Sequence, residues 1–320
     1  MTPRPLFLLA AAALAFTAPA AAQDNPNFIR PALEIEARLD TIPFEVLEAR
    51  GVRSQADATI RLTMVYPDSL RLRAKMKPAP PGGDTTFNNR PRYEVAAYEL
   101  QKLFLSPTDF VVPPTVLRPL PLDLVRRWNP QVVPTFGGTQ SVVVELQYWL
   151  SSVTPEGFWD PARFRQDTLY ARFLANMNIL AYLIRHSDDN VGNFLISTDP
   201  AAPHVYSVDN GIAFTSNVSE RGYYWRDLRV DRLPRATIER LRALTRPDLD
   251  RALGVVAQFT IAADRQLTAS PPGANLDPGV GVRHKGDVVQ FGLTRREIDD
   301  VQDRLQRLVK RVDEGKIAQF

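Results

Sequence analysis

Two short runs near the front of the chain alternate apolar and polar residues. In TIRLTMVY (59–66), Ile60, Leu62 and Met64 share a face. In LRLRAKMK (70–77), Leu70, Leu72, Ala74 and Met76 face one way and Arg71, Arg73, Lys75 and Lys77 the other. A period of two on both sides of a PDS turn predicts a β-hairpin. The Pro-, Gly- and Asn-rich stretch 78–91 reads as a loop. The period then changes. Tyr93, Ala96, Ala97, Leu100, Leu103 and Phe104 form one helical stripe, which predicts a helix over 92–105. FVVPPTVLRPL (110–120) is extended, and the β-branched run in SVVVELQYWL (141–150) predicts a buried strand.

Beyond residue 150 the pattern turns helical. DTLYARFLANMNILAYLIRH (167–186) is a long helix with Leu169, Phe173, Leu180 and Ile184 near one face. NFLI (193–196) and HVYSV (204–208) are short strands, and 237–259 reads as helices. A final amphipathic helix runs over 294–315, opened by a Thr294–Glu297 capping box. A strand-rich first half and a helical second half give an α+β fold of two lobes, with a boundary near residue 150.

The first 22 residues carry Arg4, a short apolar run and Ala20-Ala21-Ala22 before Gln23, the pattern of a cleaved secretory signal peptide. That implies a periplasmic or secreted bacterial protein whose residues 23–42 link into a short helix. No other segment approaches transmembrane length. With no cysteine, stability must come from a packed core. His186, His204 and His284 lie too far apart to argue for a zinc site. A net charge of +3 without a dense basic tract argues against a nucleic-acid partner.

Candidate chemistry concentrates in IRHSDDNVGNFLI (184–196), followed by VYSVDNGIAF (205–214). Asp188, Asp189 and Asn190 alone would read as a turn after a helix. Asp188 and Asn193 in a D-x-x-x-x-N spacing, with Asp209 after the next strand, point instead to a phosphate–metal site. Kinase-type phosphoryl transfer needs one Asp to receive or orient the attacking hydroxyl, and an Asn and a second Asp to hold Mg²⁺ or Mn²⁺ on the phosphates. It also needs a strand Lys for the phosphates and a helix Glu to hold that Lys. Lys75 and Lys77 fit the first role equally. Glu94 fits the second, whereas Glu99 reads as a surface partner of Lys102. EARGVRSQADAT (48–59) would cover the phosphates through Gly51 and the amides near Arg53 and Ser54, although it lacks G-x-G-x-x-G.

Taken together, these residues resemble atypical kinases. IRHSDDNVGNFLI with VDNGIAF is similar to the catalytic loop and metal-binding segment of type II phosphatidylinositol 4-kinases. RYEVAAYELQKLFL with VVPPTVLR resembles the helix and following segment of the secretory-pathway kinases, the four-jointed and Golgi casein-kinase-like group. The resemblance spans roughly residues 70 to 230. It implies a two-lobed protein-kinase-like fold, with a β-rich N-lobe over 43–150 and a mainly helical C-lobe over 151–320. It implies Asp188 as catalytic Asp, Asn193 and Asp209 as metal ligands, Glu94 as helix Glu and Lys75 or Lys77 as nucleotide Lys. The backbone of Glu145 to Gln147 would face adenine as the hinge. ATP with Mg or Mn would be the cofactors, and a protein, lipid headgroup or small molecule would supply the hydroxyl. A monomer is expected. The sequence departs from the family at H-R-D, here H-S-D, at D-F-G, here D-N-G, and in having no long activation loop. Because a periplasm is not expected to hold ATP, a catalytically inactive kinase-like binding module stands beside this reading; a third is a nucleotidyl transferase on the same fold, since some atypical kinases turn the nucleotide around.

Overall fold

The computed structural model describes residues 25–51, 59–84, 90–188, 190, 192–214 and 224–320. The N-lobe runs α1 (Ala32–Asp40), β1 (Glu45–Gly51), β2 (Ile60–Val65), β3 (Arg71–Pro78), α2 (Pro91–Lys102), β4 (Thr115–Pro121), α3 (Leu122–Arg126) and β5 (Ser141–Tyr148). Its five strands form an antiparallel sheet in the order β1-β2-β3-β5-β4. The predicted hairpin is β2–β3, with Ile60 opposite Met76 and Met64 opposite Leu72. Paired residues share a face, and this one enters the main core with Ile35 and Leu39 of α1. The opposite face carries Lys75, Lys77 and Glu145. The stripe predicted over 92–105 forms α2, but burial extends around the helix and takes in Arg92 and Glu94 as well.

The C-lobe runs β6 (Val153–Thr154), α4 (Pro161–Gln166), α5 (Thr168–Ile184), β7 (Phe194–Ser197), β8 (Val205–Ser207), β9 (Arg232–Leu233), α6 (Arg235–Ala243) and α7 (Arg246–Leu253). It continues through β10 (Ala257–Ile261), β11 (Leu267–Ser270), β12 (Val282–Lys285), β13 (Val288–Phe291), α8 (Arg295–Asp313) and β14 (Ala318–Gln319). Helix α5 begins where the Asp167 carboxylate accepts from the amides of Leu169 and Tyr170, both at 3.0 Å. It stops at Arg185 in a left-handed conformation, φ 51°. The capping box of α8 forms as expected, with Glu297 N donating to Thr294 and Thr294 N donating to Glu297.

The helical reading of 237–259 needs correction at its end. α7 closes at Leu253, and the chain enters a four-stranded sheet, order β11-β10-β13-β12. These strands hold because Phe259, Leu267, Val289 and Phe291 close a second, smaller core against Ala79, Val95, Leu117, Phe136 and Val143 of the N-lobe. A segment of the C-lobe chain thus completes the N-lobe.

The stretch expected as a linker is also built in at its front. Asn27 is fully buried, and its amide donates to the carbonyls of Ser151 and Ser152, each at 2.9 Å. Its amide oxygen accepts from the Tyr206 hydroxyl at 3.0 Å, and the Phe28 ring lies 5.6 Å from that of Tyr148. This segment braces the connection between the lobes. Among the described residues no helix is long and apolar enough to cross a membrane.

Candidate active site between the lobes

The face of β3 that carries both lysines lies against β5, with Lys75 opposite Gln147 and Lys77 opposite Glu145. The two lysines then diverge. Lys75 lines the cleft between the lobes, whereas Lys77 is buried and is not part of the cleft wall. The Lys75 ammonium lies 2.9 Å from Glu145 Oε1, 3.4 Å from Asp209 Oδ1 and 3.5 Å from Glu94 Oε1.

Glu94 reaches that point because it sits in the first turn of α2, aimed at the sheet. It is 1% exposed, and its second oxygen, Oε2, accepts from the backbone N–H of Asn210 at 2.8 Å. One carboxylate therefore ties the strand lysine to the segment carrying Asp209. Asp209 itself takes a left-handed backbone, φ 59°, which Asp tolerates better than bulkier residues. The Asn of D-N-G is a lock: it is fully buried, and its Oδ1 accepts from Ser207 Oγ at 2.7 Å.

The charges work on one another. Asp209 is held down to about 2, chiefly by Lys75. Burial opposes the charge on Lys75, but Glu145, Glu94 and Asp209 outweigh it and hold the ammonium well above its usual range. Burial, with the neighbouring Glu145 carboxylate, pushes Glu94 up to about 8. A carboxyl raised on folding adds stability that is complete below its ordinary value, 4.5, and fades as pH rises through about 8. Urea midpoints of the ligand-free protein should therefore fall between about pH 6.5 and 8, because below 6.5 the buried His186 ring, lowered from 6.5 to about 4, gains stability as pH rises and offsets Glu94; Glu94→Gln should remove the fall. A wild-type curve already flat over that window would show that Glu94 stays ionised.

The catalytic-loop candidates are placed by the end of α5 and the β7–β8 hairpin. His186 is fully buried, and burial lowers its ring to about 4, so it is neutral at neutral pH. Its Nδ1 accepts from the Asp188 amide at 3.3 Å, so it shapes the loop. Asn193 Nδ2 donates to the Asp188 carbonyl at 2.7 Å, and the Asn193 amide oxygen makes no hydrogen bond among the described residues. Pairing of Phe194 with Ser207, continued by Val208 N to Asn193 O at 2.8 Å, brings Asn193 beside the segment leading to Asp209. Both residues line the same cleft as Lys75, a space of about 610 Å³ also bordered by Arg73, Gln147 and Trp149. Among the described residues no group of three or more His, Cys, Asp or Glu is placed to hold a metal. A cation here would have the Asn193 amide oxygen and the Asp209 carboxylate as protein ligands. That hard-oxygen pair suits Mg²⁺ or Mn²⁺ completed by water and phosphates.

The hinge expectation shifts. Glu145 pairs with Lys77 on one side and Leu117 on the other, and Gln147 with Lys75 and Thr115. Both edges of β5 are occupied at those positions, so their backbone groups serve the ladders and present no edge to adenine. The segment that leaves the sheet, 149–153, lines the cleft instead. Glu145 contributes a carboxylate to Lys75, and the Gln147 amide donates to Thr115 Oγ1 at 3.0 Å. An acid inside the apolar run VVVELQ was the available signal, because a carboxylate buried without a cation is costly. Gly51 ends β1, and Arg53 and Ser54 lie outside the described residues. The expected pair Glu99–Lys102 forms at 2.7 Å.

Past Gly192 a second recess of about 290 Å³ opens beside the loop that carries Asp188 and Asn193, walled by Phe158, Trp159, Phe194, Trp225, Asn190 and Arg229. Phe158 stacks on Phe194 at 5.5 Å, and the Arg229 guanidinium sits 4.9 Å over the Tyr224 ring.

No protein-family model and no curated protein matches this chain. In three dimensions the chain is similar to a solved structure described as hydra Fam20 with sugar, with a TM-score of 0.53 and 14% identity over 88% of each chain. At that identity the likeness is one of fold: a β-sheet lobe followed by a helical lobe, matching a Fam20 kinase-like fold.

Proposed function

We propose that this protein is an exported, metal-dependent phosphotransferase that moves a phosphoryl group from ATP to a hydroxyl. The observation that carries this reading is the linkage of Lys75 to Glu94 and Asp209, with Glu94 also holding the Asn210 amide. Lys75 faces the phosphates. Asp188 orients the acceptor hydroxyl and takes its proton. Asn193 and Asp209 would hold a divalent cation, which supplies charge neutralisation on the phosphate oxygens. The residues round the cleft exclude water and fix the nucleotide.

Of the acceptor classes the sequence leaves open, a small ring-bearing compound fits best. The recess beside Asn190 and Gly192 offers aromatic faces for a ring and Arg229 as a donor to its polar groups. A sugar has that character, and the Fam20 neighbour is described with one. An inactive binding module has no physical need for Lys75, Asn193 and Asp209 in one cleft.

Calorimetric titration of residues 23–320 with ATP, with and without Mn²⁺, tests the reading. Metal-dependent binding should be seen in the wild type and lost in Asp209→Ala. A well-folded wild type that binds no ATP, with Mn²⁺ or with Mg²⁺ in its place, overturns it. Intact mass of an acceptor after turnover separates phosphoryl from nucleotidyl transfer.

A further inference from the structure

Helix α2 carries more than Glu94. Arg92 and Tyr93 are buried beside it and reach α8 of the other lobe. The Arg92 guanidinium meets Glu297 in two parallel bonds, Nη1 to Oε2 at 2.7 Å and Nη2 to Oε1 at 2.9 Å. Its Nε donates to Asp84 at 2.7 Å, and Nη1 also reaches the Gly292 carbonyl at 3.2 Å. The Tyr93 hydroxyl donates to Glu297 as well. Glu297 is also the residue whose carboxylate accepts from Thr294 N at 2.8 Å, so one side chain starts α8 and holds the start of α2. The contact is tightly fitted: a Cβ on Gly281 would fall 2.4 Å from the guanidinium.

At 3.6 residues per turn, Arg92 and Glu94 are roughly 200° apart around the helix. The helix is thus held from opposite sides, by α8 on one and by Lys75 and Asn210 on the other. Val95 is further covered by the small-core side chains Phe259, Val289 and Phe291. A buried ion pair contributes little net stability over an apolar contact of the same shape, and its best-attested use is to fix register. Burial works against the charge on Glu297, but hydrogen bonds and charge from Arg92 hold its carboxyl below the usual range. The pair stays charged through neutral pH.

We propose that Arg92 and Glu297 are positioning residues: their ion pair locks the rotation of α2 so that Glu94 permanently meets Lys75 and Asn210. The site then stands assembled without an activating modification, in keeping with the short path from Asp209 to α6. This inference rests on the phosphotransferase reading for its consequence, but not for its geometry.

The test uses the full chain and the double variant Arg92→Met/Glu297→Gln. It removes both charges together, and Gln keeps the capping box of α8. Its thermal midpoint should stay near that of wild type. In ligand-free protein, hydrogen exchange of the α2 amides should rise about tenfold while β2 and β3 are unchanged, and ATP–Mn affinity should fall about tenfold, the scale of a coupling carried by positioning residues. In a Glu94→Gln background the same double change should cost almost no further affinity, because the contact it serves is already gone. Unchanged α2 exchange overturns the inference. So do affinity losses that multiply in both backgrounds, since they mark a merely structural pair. If wild type fails to bind ATP, the functional reading falls, and the exchange comparison alone still decides whether the clamp exists.

Discussion

Asp188→Asn is expected to lower phosphoryl-transfer turnover by about 10²- to 10⁴-fold while ATP–Mn binding survives, the usual loss when a positioned proton acceptor is removed. The loop geometry is what makes the two effects separable. Asp188 is held through its backbone, its amide on His186 Nδ1 and its carbonyl on Asn193 Nδ2. Asn keeps both backbone bonds and the side-chain shape, and loses the negative charge and with it the ability to take a proton. The burial that lowers His186 to about 4 leaves that ring hydrogen-bonded to the loop, not titrating with the reaction. Turnover and calorimetric affinity should be measured on one preparation. A parallel loss of binding would falsify the catalytic assignment and make Asp188 a structural turn residue.

Lys75→Met should destabilise the ligand-free protein by about 3–5 kcal/mol, the cost of leaving a buried charge without its partner. The reason lies in Glu145. It is fully buried, among the described residues its carboxylate oxygens find no well-aligned hydrogen-bond donor, and one of them lies 2.9 Å from the Lys75 ammonium. Adding Glu145→Gln to Lys75→Met should recover most of that stability and none of the nucleotide affinity. Denaturant midpoints and ATP titrations of the two variants separate the roles. If the second change restores nothing, Glu145 does not depend on Lys75.

Much of this was legible in the chain itself, for a local reason. The period of two in 59–77 and the helical spacing from Tyr93 to Phe104 are properties of neighbouring residues, and both elements formed. The spacing from Asp188 to Asn193 and on to Asp209 is equally local, because one hairpin joins them. What stayed hidden depends on distant partners. Glu145 looks like an interruption in a strand until β3 places Lys75 beside it. Arg92 falls outside the stripe of α2, and its partner lies 205 residues on. The strands β10 to β13 are only four or five residues long. Their apolar positions acquire meaning only against Leu117, Phe136 and Val143 of the other lobe. Asn27 is of the same kind, since its bonds go to carbonyls more than a hundred residues away.

That small sheet also sets an order of assembly. As the chain emerges from its N-terminus, the N-lobe strands can pair early. The face bearing Val95, Leu117, Phe136 and Val143 stays open until Phe259 through Phe291 have been made. Its completion waits for a segment more than a hundred residues downstream of β5, and contacts that distant are slow to close. The two lobes should then unfold in one transition, and fragments cut near residue 150 should fail to fold separately, each lacking surface that only the other supplies.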